Sequence, residues 1–168
     1  MKKQNGVNSK MKIFNTVQLK RLHEKILSEY NVYNNKSEEK NARRANEEYL
    51  SGGMEMLIAT ENEDESYALE RRLQGVLDDV NGKRVDDMLN TSSAVAKKAA
   101  LLGSEIIAQR PFGEKNTETG IAASLSFLML NCFALGETFY EDGLNEYKRL
   151  LCGNDVDGAA KLLKQYMS

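Results

Sequence analysis

Ile121-Ala-Ala-Ser-Leu-Ser-Phe-Leu-Met-Leu-Asn-Cys-Phe-Ala-Leu135 is the stretch on which the reading of this chain turns. A segment apolar on nearly every side has no stable place except a core. Ser124, Ser126 and Asn131 punctuate it, and it falls short of the roughly 20 apolar residues that a bilayer span requires. It therefore reads as the buried central helix of a bundle, starting near Thr119. On both sides of it the 3.6-residue apolar period recurs, and with a single proline and no alternating run of useful length nothing favours a sheet. The expected fold class is all-α, a compact bundle of about six or seven helices around that central helix.

Toward the amino terminus, Leu19, Leu22, Ile26, Leu27 and Tyr30 share one face of a first helix, capped near Asn15 or Thr16. Asn31 to Asn35 reads as an asparagine-rich turn. Ser37 to Leu50 is charged enough for a second, exposed helix, which Gly52 and Gly53 separate from Met54 to Ile58. The acidic run Glu61 to Glu65 suits a helix start. It leads into Leu69, Leu73, Val76, Leu77 and Val80 on one face, ending at Asn81 and Gly82. Thr91 or Ser92 caps a helix carrying Val95, Ala99, Leu102 and Ile106, which Pro111 stops after Arg110. Past the central helix, one helix is expected around Leu144 to Leu151, and a last one carries Ala159, Leu162, Leu163 and Tyr166. Residues 1–12 read as a flexible polar terminus and residues 13–168 as one domain, with no repeat or linker.

Composition narrows the class. The 168 residues are 41% apolar and 29% charged with a net charge of -2, the balance of a folded cytoplasmic protein. A pI near 5.6 argues against general nucleic-acid binding, which needs a net basic face to displace counterions. Met1 to Lys12 lacks the apolar stretch of a secretory signal, so neither export nor membrane insertion is expected. Cys132 and Cys152 show no metal-ligand spacing with each other or with His23, the only histidine, and read as reduced packing residues. A lone histidine on a regular amphipathic helix reads as structural.

Chemistry is expected at the junction Arg110-Pro-Phe-Gly-Glu-Lys-Asn-Thr-Glu-Thr119. A short loop opening directly into a helix offers unpaired backbone amides and the positive end of the helix dipole, a seat for phosphate or carboxylate. The plainer alternative is a capped turn, with Asn116 or Thr117 bonding the first amides and Phe112 plugging the core.

Arg110 to Glu118 resembles an altered form of the Fic/Doc (death-on-curing) signature His-Pro-Phe-x-(Asp/Glu)-Gly-Asn-(Gly/Lys)-Arg. Pro111, Phe112, Glu114 and Asn116 match it. Ile121 to Leu128 leaves the loop much as in the death-on-curing branch, and Leu19 to Leu27 is similar to that branch's first helix. The resemblance implies roles for each position. The motif histidine takes a proton from a target hydroxyl, the acidic residue holds magnesium on nucleotide phosphates, the loop amides and asparagine cradle those phosphates, and the last arginine neutralises them.

Here the histidine position is Arg110, whose guanidinium is charged at every accessible pH and cannot act as a general base. The arginine position is Glu118, which repels a polyphosphate. Lys115 replaces the loop glycine, and Thr117 stands where Gly or Lys is usual. No residue is therefore expected to be catalytic at the motif positions Arg110, Asn116 and Glu118. Arg110, Gly113, Lys115, Asn116 and Thr117 are the candidate ligand-binding set, with Glu114 as a candidate cation holder. The family's built-in inhibitory motif, (Ser/Thr)-x-x-x-Glu-(Gly/Asn), has its nearest counterpart in Thr138 to Gly143, which reads as a chance match in a turn.

The expected function is that of a degenerate Fic/Doc-like protein of toxin-antitoxin or phage/effector descent. It acts by binding an antitoxin-like or host protein, or an anionic ligand, without AMP or phosphate transfer and without a cofactor. Two alternatives stand beside it. One is a transferase of altered chemistry that uses magnesium and a nucleotide; the other is an unrelated helical interaction protein.

Overall fold

A computed structural model describes residues 10–34, 55–82 and 90–168. They form six α-helices: α1 (Thr16–Asn34), α2 (Glu55–Gly82), α3 (Ser92–Gln109), α4 (Asn116–Leu130), α5 (Leu144–Cys152) and α6 (Val156–Tyr166). One π-helical turn, Phe139–Gly143, leads into α5. Among the described residues there is no strand, and Leu135 and Met167 form an isolated antiparallel bridge. The all-α bundle expected from periodicity is what the chain forms. The proposed helix over Ser37 to Leu50 and its glycine break lie outside the described residues.

Local signals explain several of the helix ends. Asn15 and Gln18 form a reciprocal cap, in which the Gln18 amide donates to Asn15 Oδ1 and the Asn15 amide to Gln18 Oε1, both at 2.9 Å. This satisfies two amides that would otherwise lack partners at the start of α1. Thr91 caps α3 by accepting from the Ala94 amide at 3.2 Å, and α3 ends at Gln109, before Arg110-Pro111. Asp155 accepts from the Gly158 amide and starts α6.

Three boundaries differ from the sequence reading. α1 runs on through Asn34, so Asn31 to Asn34 is helical rather than a turn. α2 runs unbroken from Glu55, so Glu61 to Glu65 lies within the helix rather than at its start. α4 stops at Leu130 instead of reaching Leu135, because Cys132 takes a left-handed backbone with φ 66 and turns the chain. The Phe133 amide then closes the end by donating to the Leu128 carbonyl.

The core draws on every helix. Leu19 of α1, Leu73 and Val76 of α2, Val95 and Ile106 of α3, Phe127 of α4, Tyr147 of α5 and Leu163 of α6 belong to one apolar cluster. The most fully covered helix is α3, with eleven buried residues against seven in α4. Its buried face is made mainly of alanine, glycine and serine, which let other helices approach its backbone. Gly103 and Gly120 mark where α3 and α4 meet: a Cβ on Gly120 would lie 2.8 Å from the Gly103 carbonyl oxygen.

Some polar residues in the interior are paired across elements, while the buried Thr119 Oγ1 and Asn116 Nδ2 have no hydrogen-bond partner among the described residues. Ser124 in α4 shares a hydrogen bond with the Tyr147 hydroxyl. Asn131 Nδ2 donates to the Lys12 carbonyl at 2.9 Å while its Oδ1 accepts from the Lys12 amide at 2.6 Å, tying residue 12 to the end of α4. Cys132 and Cys152 are both free and exposed, not packed inside as expected. Each follows the last apolar turn of its helix, where the chain is already leaving the core.

Candidate functional site

The loop between α3 and α4 is short because both helices press against each other immediately beside it. Arg110, the C-cap of α3, is left-handed at φ 52, and its amide still reaches the Ile106 carbonyl. Its side chain is exposed. Gly113 (φ 80) and Lys115 (φ 56) are also left-handed. Lys115 is the N-cap of α4 and supplies no side-chain cap. Three residues with positive φ within a six-residue span make a tight corner, a conformation that is costly for non-glycine residues and held only by its surroundings.

Those surroundings are specific. Asn116 is buried, and its Oδ1 accepts from the Phe112 amide at 3.0 Å. It thus bonds backward across the loop, and the first amides of α4 receive no side-chain cap from it. Arg72 of α2 donates through Nε to the Pro111 carbonyl at 2.8 Å. His23 of α1 lies 3.1 Å through Nε2 from the Glu114 carbonyl oxygen. A carbonyl only accepts, so the ring carries a proton on Nε2. The imidazole also stacks on Phe112, with centroids 4.1 Å apart and planes 9° from parallel. Phe112 is half-buried and meets His23 rather than plugging the core alone.

The loop charges sort by partner. Lys115 Nζ is 3.9 Å from Glu118 Oε2, an i,i+3 pair that offsets its charge at the helix start. Glu114 is exposed, and Thr117 is half-buried on the first turn. A magnesium ion takes one or two protein carboxylates and fills its shell with phosphate and water. Among the described residues no three His, Cys, Asp or Glu side chains cluster to hold a metal by themselves.

Beside the loop, α1 and α2 leave a cleft of about 470 Å³, whose walls include Lys20, His23, Leu69, Arg72 and Phe112. Glu70 staples the two helices by accepting from Lys20 and Thr16. The Lys20 hydrogen bond, followed by that from Thr16, holds the Glu70 carboxyl below the usual carboxylate range. Arg110, Gly113, Glu114, Lys115, Asn116, Thr117 and Glu118 run along the loop and the first turn of α4, with Asn116 turned inward. The contribution of α1 and α2 to the same place was not legible in the spacing of their residues. His23, read from the sequence as structural, is the residue by which α1 reaches the loop.

No protein-family model, curated protein or solved structure matches the chain. Among the described residues no helix is long and apolar enough to cross a membrane.

Thr138 to Gly143, the segment resembling the inhibitory motif, lies in and just before the π-helical turn, with Asp142 exposed. Phe139 anchors that turn among Tyr140, Tyr147 and Tyr166, with ring centroids 5.5 to 5.8 Å apart. The turn serves packing.

Proposed function

We propose that this chain is a degenerate Fic/Doc-like binding domain, which seats an anionic group on the α3–α4 loop and transfers neither AMP nor phosphate. The carrying observation is the loop corner itself. Lys115 stands at φ 56 with no side-chain cap on α4, so the first amides of α4 lie at a corner whose shape favours glycine, the residue the signature has at that position. Arg110 supports loss of transfer, since it occupies the position of the base and a guanidinium cannot accept a proton. The ligand of this reading is a carboxylate on a partner protein or a small anion, and the partner class that the resemblance brings is an antitoxin-like or host protein.

Two expected results test it. Incubated with labelled ATP, magnesium and a cell lysate, the protein should label nothing, and Arg110→His alone should not change that. In calorimetric titration, ATP with magnesium should bind no tighter than about millimolar, roughly 4 kcal/mol. Glu118→Arg should improve this by about tenfold or more, because it replaces a carboxylate at the helix start by a cation. Low-micromolar binding by the unmodified chain, or no response to that substitution, would overturn the site assignment.

A second reading has its own observation. His23 places an imidazole against the loop, with Nε2 facing the Glu114 carbonyl oxygen, which leaves Nδ1 as the ring nitrogen on which a general base would act. Label transfer that is robust and disappears in His23→Gln would favour a transferase with a relocated base over the binding reading.

A further inference from the structure

We propose that the cleft between α1, α2 and Phe112 seats an uncharged aromatic ring that carries an N–H or O–H donor, such as an indole or a phenol, at a place separate from the start of α4. Its volume of about 470 Å³ lies in the usual range for ligand pockets, about 300 to 1,000 Å³. Sites of that kind combine apolar and aromatic walls with a few polar groups that fix orientation.

The apolar surface comes from three elements. Phe112 of the loop and His23 of α1 line the cleft with their rings stacked in parallel, so that each restrains the other's rotation. Nε2 of His23, 3.1 Å from the Glu114 carbonyl oxygen, fixes the imidazole further. Leu69 of α2 adds an aliphatic wall. A ligand ring is favoured against such surfaces in offset or edge contact, and surfaces already held in place lose little entropy when it arrives.

The charges decide which ring. Lys20 is paired with Glu70, and Arg72 donates through Nε to the Pro111 carbonyl and has a further interaction. Neither cation is therefore assigned to a ligand. Lys20 and Arg72 are balanced by Glu24 and Glu70, so a net charge of either sign on the ligand brings no advantage. Glu24 is different. Its side chain lines the cleft, is exposed, and has no hydrogen-bond or ion-pair partner among the described residues. An ionised carboxylate only accepts, so the group that complements it is a donor, and an indole N–H is a donor alone.

His23 is also the reporter. As the only histidine it gives one imidazole Cε1–H signal in a proton spectrum. At fixed pH, 3-methylindole should move that signal in a saturable way. 1,3-Dimethylindole, which keeps the ring and lacks the donor, should bind at least about fivefold more weakly. Glu24→Ala, at an exposed position, should weaken 3-methylindole to the level of the dimethyl compound and leave the latter unchanged. Indole-3-acetate and tryptamine, which add a charge of either sign, should bind no tighter than 3-methylindole. Such a ring can come from a free small molecule or from a tryptophan side chain of a partner. N-acetyl-tryptophanamide binding at least as tightly as 3-methylindole identifies the side chain, and weaker binding identifies the free molecule. Glu118→Arg should leave 3-methylindole unchanged while altering ATP binding, which keeps this outcome separate from that for the loop.

No saturable shift, equal binding of the two methylindoles, a donor preference that survives Glu24→Ala, or tightest binding by the acetate or the amine would each overturn the proposal.

Discussion

Gly120→Val should unfold or nearly unfold the protein, with a loss of about 3 kcal/mol or more in denaturant titration. The Gly120 backbone lies against α3, and a Cβ there would meet the Gly103 carbonyl oxygen at 2.8 Å and Ile107 Cγ1 at 2.9 Å. One of these is main chain in the middle of a helix and cannot swing aside, so the helices must separate. Separation strips contact from Ala99, Ile106, Ala123 and Phe127, all buried. Gly75→Ala is the control, because a Cβ there meets nothing within 4 Å. It should stabilise by roughly 0.5 to 1 kcal/mol, the usual advantage of alanine inside a helix. If Gly120→Val melts like the parent, the α3–α4 contact is not as close as described.

Alkaline pH should produce the second large effect. Burial pushes the Tyr147 phenol well above its ordinary value, against a smaller downward influence of the Ser124 hydrogen bond. In the unfolded chain the phenol ionises near pH 10, whereas in the folded chain it keeps its proton. The unfolded state then holds fewer protons, so folding stability is fully present below about pH 10 and falls above it by about 1.4 kcal/mol per pH unit. Chemical denaturation between about pH 9 and 12 should show that decline. Tyr147→Phe should remove most of the slope while lowering stability at neutral pH by about 1 to 3 kcal/mol, because Ser124 loses its buried partner. A slope unchanged in Tyr147→Phe would assign the alkaline loss to other groups.

Much of the fold was legible because helix signals are local. Thr91 and Pro111 bracket α3 through capping and proline sterics, and the apolar stripes of α5 and α6 need no tertiary information. What was not legible depends on neighbours distant in sequence. Apolar bulk drew attention to the Ile121 to Leu135 stretch, yet the better-covered helix is α3, whose Ala94, Ala96, Ala99, Ala100 and Gly103 score modestly as hydrophobes and bury well because they are small. The early end of α4 hangs on Cys132 adopting a left-handed backbone, which no propensity for cysteine suggests. The candidate loop itself was legible from Pro111 and Gly113 between two apolar helical stripes. His23 and Arg72 reach it from α1 and α2 only through tertiary packing.

The loop between α3 and α4 is moored at three points: Phe112 to Asn116, Pro111 to Arg72 and Glu114 to His23. Each mooring takes the chain to a different helix, so the corner is ordered before anything arrives. Ordering a side chain or loop residue on association commonly costs about 0.5 to 1.5 kcal/mol each, and here that entropy has already been lost in folding. A ligand of this loop should therefore bind with little conformational entropy penalty, and the Phe112 amide, held by a buried Asn116, should exchange with solvent at nearly the same slow rate whether the ligand is present or not.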